Sequence, residues 1–184
     1  MVNIIRAAGL LALIPFIAAA PTSVGASIDE RTDSQNTELF SFEKWAEEKI
    51  ANPGGNHLSP DEAVALAFNQ TLTDENGIEK RASCAGTAGS PASAADAAWC
   101  IDFLSARSNV NCVAYTSGTS FCVRGVAQIT GVSTISPPAP VTVLCGAVAR
   151  SAGAIMDQCT SNGRVYGQQT AWGNGNMAVH IRSP

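Results

Sequence analysis

Lysine and glutamate are absent from Ala82 to the C terminus, and that stretch holds one histidine, His180. Its acids are Asp96, Asp102 and Asp157, and its other bases are Arg107, Arg124, Arg150, Arg164 and Arg182, a balance of +2. General acid–base work needs paired titratable groups, and this inventory is thin for it. No Gly-x-Ser-x-Gly occurs, which removes the usual serine-nucleophile elbow. No two cysteines stand two to four residues apart, which argues against zinc; no metal or other cofactor is expected. A nearly neutral stretch with scattered arginines and no basic stripe excludes a nucleic-acid footprint.

Cysteine is missing from the first 83 residues, so all six fall in the last part: Cys84, Cys100, Cys112, Cys122, Cys145 and Cys159. An even count confined to a short domain predicts three disulfides and an oxidising compartment, with the connectivity open among fifteen possibilities. Long apolar runs are also lacking. Residues 1–26 carry Arg6, an apolar stretch from Ala7 to Ala20 broken by Pro15, and small residues at Val24 and Ala26. The stretch is shorter than the roughly 20 residues that span a bilayer, so it reads as a signal peptide and no stable membrane anchor is expected.

Residues 27–81 are acidic, with twelve acids against five bases. Two amphipathic pieces stand out. Phe40, Phe42, Trp45, Ala46 and Ile50 lie near helical spacing and end at Asn52-Pro53-Gly54-Gly55. A second helix is predicted from Ser59-Pro60-Asp61-Glu62, where Ser59 and Glu62 have capping-box spacing and Pro60 takes the first helical position. Asn69-Gln70-Thr71 is a glycosylation sequon at Asn69. The segment closes on Lys80-Arg81, where composition flips from acidic and cysteine-free to neutral and cysteine-rich. The expected organisation is therefore 1–26 signal peptide, 27–81 acidic pro-segment cut at the dibasic site, and 82–184 cysteine-rich domain.

Within that domain, Ser93 to Arg107 is alanine-rich, free of Gly and Pro, and capped by Ser93, which predicts a helix burying Trp99, Cys100, Phe103 and Leu104. Asn109–Tyr115 and Phe121–Ile129 read as strands of one hairpin around Thr116-Ser117-Gly118, with Cys112 opposite Cys122 and helix cysteines such as Cys100 and Cys145 within reach. After the proline-rich 136–140, Val141 to Asp157 predicts a second helix, weakened by Gly146 and Gly153. If continuous, it holds Cys145 and Cys159 about 21 Å apart, too far for a bond. Asn174-Gly175 predicts a closing hairpin that puts Thr170, Trp172, Met177, Val179 and Ile181 on the core face. The fold class expected is α+β: a two-layer sandwich of a mainly antiparallel sheet with two helices, stapled by disulfides.

The Cys84-Ala85-Gly86 start, the helix piece Ala97-Ala98-Trp99-Cys100-Ile101, the stretch Asn111-Cys112-Val113-Ala114-Tyr115-Thr116-Ser117-Gly118 and the Gly-rich closing hairpin resemble small secreted fungal cysteine-rich proteins related to killer toxins and necrosis-inducing extracellular effectors. The stretch from Phe42 to Ala63 is similar to the leader of many fungal secreted proteins. The resemblance implies a secreted, non-enzymatic effector that recognises a host, rival or cell-wall component outside the cell. Its loops, 130–140 and 173–176, are the expected contact regions. Two alternatives stand beside it: a small hydrolase such as a ribonuclease, drawing on His180 with Arg164 or Arg182, and a structural or defensive cell-wall protein. Asp96 is expected as helix N-terminal charge, Asp102 on a solvated face, Asp157 as a polar helix end and His180 on the surface of the last strand.

Overall fold

The computed structural model describes residues 39–70, 82–84 and 89–184. The signal peptide, Lys80, Arg81 and the Thr71 of the sequon lie outside the described residues.

Both acidic-segment helices form where their caps stand. α1 (Phe42–Ala51) has Ser41 as N-cap, its hydroxyl accepting from the Lys44 amide. α2 (Pro60–Gln70) begins with a reciprocal capping box, in which the Ser59 amide donates to the Glu62 carboxylate and the Glu62 amide to the Ser59 hydroxyl. That contact holds the Glu62 carboxyl below its usual range.

The cysteine-rich part contains β1 (Ala92–Ser93), α3 (Ala94–Ser105), β2 (Asn111–Ala114), β3 (Thr119–Arg124), β4 (Ala127–Ser133), β5 (Val141–Leu144), α4 (Cys145–Cys159), β6 (Thr160–Ser161), β7 (Arg164–Val165), β8 (Gly167–Thr170) and β9 (Met177–Arg182). All strand pairings are antiparallel: β3-β4-β9-β8 make the main sheet, β1-β7-β6 and β2-β5 two small ones. The class is α+β. α3 lies over β3 and β4, α4 over β8 and β9, and the core between them holds Ile101, Leu104, Ile129, Val148, Ile155, Met177, Val179 and Ile181. α1 packs on the far side of α4 and α3, and α2 on α3, adding a third layer in which Phe42, Trp45, Ala46 and Ala63 are buried.

Three expectations are corrected. The hairpin around Thr116-Ser117-Gly118 does not form: β2 pairs with β5, whereas β3 pairs with β4 through a tight Gly125-Val126 turn. Gly125 has φ +48°, a left-handed conformation that glycine enters without steric cost. The expected second helix begins four residues late, because Val141–Leu144, alternating buried and exposed, are needed as the partner of β2. The closing hairpin slips by one residue from pairing centred on Asn174-Gly175: Thr170 faces Ala178, so Gln169 turns inward and Thr170 and Trp172 outward.

Three disulfides close the domain: Cys84–Cys159, Cys100–Cys122 and Cys112–Cys145. Cys145 and Cys159 sit at opposite ends of α4, each bonded elsewhere. Cys122 meets the α3 cysteine across the core, while Cys112 reaches the start of α4 from the neighbouring small sheet.

Candidate functional site

Antiparallel strands deliver their connecting loops to the two ends of a sheet, and one end here gathers three exposed loops. They are residues 115–118 leading into β3, 134–140 leaving β4, and 171–176 between β8 and β9. Backbone bonds tie them together. The Ser133 and Gly118 amides both donate to the Tyr115 carbonyl, and the Thr134 amide donates to the Asn176 carbonyl at 2.9 Å. The Ser133 hydroxyl reaches the Ala139 carbonyl, folding the proline loop back on its own strand. Within 171–176, Gly173 takes φ +71° and the Asn176 amide donates to the Asn174 side chain, an Asx turn.

Two aromatic side chains stand out at this end: Tyr115, 55% exposed, and Trp172, 37% exposed. No residue of the three loops is charged. The Arg150 guanidinium lies over the Trp172 ring, 3.3 Å from its centroid, and also pairs with Glu43 at 3.2 Å and with Glu47, both on α1. The Ser151 hydroxyl accepts from the Trp172 amide at 2.8 Å. Trp172 is thus braced from behind by α4. Tyr, Trp, Ser, Asn, Gly and Pro on braced loops make a surface that offers rigid aromatic area and adaptable hydrogen bonds at low entropic cost.

The expected contact loops therefore come together, with one correction: Thr130–Ser133 belong to β4, and Thr130 is buried with its hydroxyl unpartnered. Tyr115 and Trp172 were missed as surface residues because the first reads as strand and the second as core. Each directly adjoins a Gly-containing polar loop, and that adjacency was the usable signal.

The ionisable residues have other employment. Asp96 accepts from the Val126 amide at 3.0 Å and holds the β3–β4 turn. Asp102, expected on a solvated face, pairs with Lys49 of α1 at 2.5 Å. Asp157, expected as a plain helix end, is an acceptor for the first turn of α1: it takes the Ser41 hydroxyl at 2.7 Å, the Phe42 amide at 2.6 Å and the Glu43 amide at 3.1 Å. Its burial nevertheless pushes the carboxyl above the usual range, outweighing those three bonds. His180 is half-buried on β9, opposite Thr130 on one side and Gln168 on the other; burial first, then the Arg182 charge, lowers its pKa. Arg182 shares its face of β9, whereas Arg164 lies on β7 and donates to the Pro91 carbonyl. Among the described residues no cluster of His, Cys, Asp or Glu has the makings of a metal site. Asn69 is exposed on the last turn of α2. A cleft of about 420 Å³ opens between α1 and α2, lined by Phe40, Lys44, Trp45, His57 and Leu66 among others, away from the three loops.

Outside α1 and α2, Trp99 and Phe103 are half-buried and stack at 5.5 Å, with Arg124 over the first ring and Arg107 over the second. The expectation that α3 buries Trp99 and Phe103 along with Cys100 and Leu104 is thereby corrected: the two rings sit half-buried against the core, each with a guanidinium neighbour. Among the described residues no helix is long and apolar enough to cross a membrane.

No curated protein and no solved structure matches the chain. A family profile, Domain of unknown function (DUF8794), matches residues 79–183, from two residues before the end of the acidic segment to the penultimate residue. Since this is more than half of the sequence, the chain belongs to that family.

Proposed function

We propose that this is a secreted, non-enzymatic recognition protein of the fungal effector or killer-toxin-like kind, acting through its three-loop end on a host, rival or cell-wall component. The observation that carries the reading is the pair of exposed aromatics, Tyr115 and Trp172, on uncharged loops tied by main-chain bonds to a disulfide-stapled sheet. Three disulfides and the signal-like N terminus fit an oxidising, extracellular setting. Uncharged loops give little electrostatic steering, so affinity would come from ring burial and hydrogen bonds. The aspartates that chemistry could have used are engaged in holding a turn and a helix.

The test is a growth-inhibition or infiltration assay with the secreted protein, accompanied by binding to immobilised cell-wall glucan and chitin and to whole cells. Tyr115→Ala and Trp172→Ala are expected to lower the effect at least about tenfold each, as loss of an aromatic anchor does, with circular dichroism and disulfide mass unchanged. His180→Ala is expected to leave it within about twofold. A second reading, a small hydrolase, rests on His180, Thr130, Gln168 and Arg182 sharing one face of the sheet. A loss of about a hundredfold in His180→Ala, typical when a general acid or base is removed, would replace the recognition reading with that one.

A further inference from the structure

We infer that the α3–α4 face of the cysteine-rich domain is a docking surface for the chain's own residues 41–64, and that cutting at Lys80-Arg81 leaves this segment bound, giving a mature protein of two non-covalently associated chains. The inference does not depend on what the three-loop end recognises, although the two regions share Arg150, which stacks on Trp172 and pairs with α1.

The domain is built to receive α1. Gly153 lies midway along α4, where glycine is a poorer helix former than alanine. Its reason is contact: a Cβ there would stand 2.6 Å from the Phe42 carbonyl oxygen and 2.7 Å from the Glu43 Cα. Asp157, one turn further on, receives the amides of Phe42 and Glu43, the donors that a helix start leaves unpaired. One turn before Gly153, Arg150 pairs with Glu43 and Glu47, and Asp102 on α3 pairs with Lys49. Four domain residues thus meet polar or backbone groups of one short helix, while Phe42, Trp45 and Ala46 fill the apolar space between them. Ala63 of α2 is fully buried as well.

In sequence, the bond to be cut lies between residues 41–64 and the start of the domain. The domain has its own start: the Ala82 amide donates to the Gln158 side chain at 2.7 Å, Ser83 bridges Gln168, and Cys84 bonds Cys159. The family match begins at residue 79. Residues 27–81 contain no cysteine, so after hydrolysis of the Arg81–Ala82 bond only packing and the polar contacts above would retain the segment. Lys80-Arg81 is the sole Lys-Arg pair in the chain, which makes a clean cut practicable.

The experiment uses the secreted full-length protein cut in vitro by a dibasic-specific endoprotease, then passed through size exclusion at low micromolar concentration with native and denaturing mass spectrometry of the peak. One peak is expected, holding the domain and the 27–81 peptide at 1:1. Gly153→Ala, which favours α4 but puts a methyl group into the α1 backbone, is expected to release the peptide while the three disulfides and the circular dichroism of the domain persist. Separation of the wild-type pieces, or retention in Gly153→Ala, overturns the inference. Should Gly153→Ala not accumulate, the surface change Arg150→Ala serves instead: peptide release at least about tenfold faster is expected, and an unchanged rate overturns it.

Discussion

His180 shows how a residue can be readable in type and still unreadable in role. On β9 it sits between Thr130 and Gln168, half-buried, with Arg182 two residues along the same face. Burial and the arginine both disfavour the imidazolium, so its folded pKa lies below the ordinary value of 6.5. The unfolded chain then binds the proton more readily. Stability contributed by neutral His180 is complete above pH 6.5 and is lost as pH falls through 6.5 toward the lower folded value. Acidification from pH 7.5 to 5.5 is therefore expected to lower the melting temperature of the wild type more than that of His180→Gln, by thermal unfolding in matched buffers. Equal drops would mean that the ring is free to charge where it stands.

At the scale of elements, caps were the most legible feature. Ser93 accepts from the Asp96 amide and opens α3, as its position before an alanine-rich run implies. Ser93→Ala is expected to cost about 1 kcal/mol, a fall of about 2 to 4 °C in melting temperature for a chain of this size, with Ser93→Asp close to wild type. Ser59 is equally readable, because a cap is a local interaction among neighbours in sequence, whereas the Ser41 cap of α1 is seen only in the structure. Strand pairing is not local, and neighbouring residues do not decide it. Asn111–Ala114 and Thr119–Arg124 are joined by an inviting turn, yet β2 crosses to the distant β5, where Asn111 faces Leu144 and Cys112 can reach Cys145. The one-residue slip of the β8–β9 hairpin has the same origin: Gly173, not Asn174-Gly175, takes the left-handed position, which lengthens the loop and rotates Trp172 from the core to the surface. Gly146 and Gly153 weaken the helix as sequence alone reads it. Their meaning lay in what packs against them, the Ser108 backbone and α1, and neither partner is close in sequence.

For the whole molecule the disulfides set the order in which structure is lost, and two effects compete in deciding it. Cys84–Cys159 closes a loop of 75 residues and Cys100–Cys122 one of 22, so loop entropy alone favours the longer crosslink by about 1 kcal/mol. Environment acts the other way. Cys100 and Cys122 are 0% and 6% exposed in the core between α3 and β3, whereas Cys84 is exposed at the start of the domain. Replacing the buried pair by serine places two hydroxyls where apolar sulfur stood, at about 1 to 3 kcal/mol each if unpartnered, which outweighs the entropy difference. The double change Cys100→Ser with Cys122→Ser is accordingly expected to destabilise more than Cys84→Ser with Cys159→Ser, measured as the difference in denaturant midpoint at equal slope. Access points the same way for reduction: a mild thiol reductant followed by alkylation and peptide mapping is expected to label Cys84 and Cys159 first, with the core pair labelled only as the domain unfolds. Early labelling of Cys100 and Cys122 would show that the α3 side of the core opens before the N-terminal staple does.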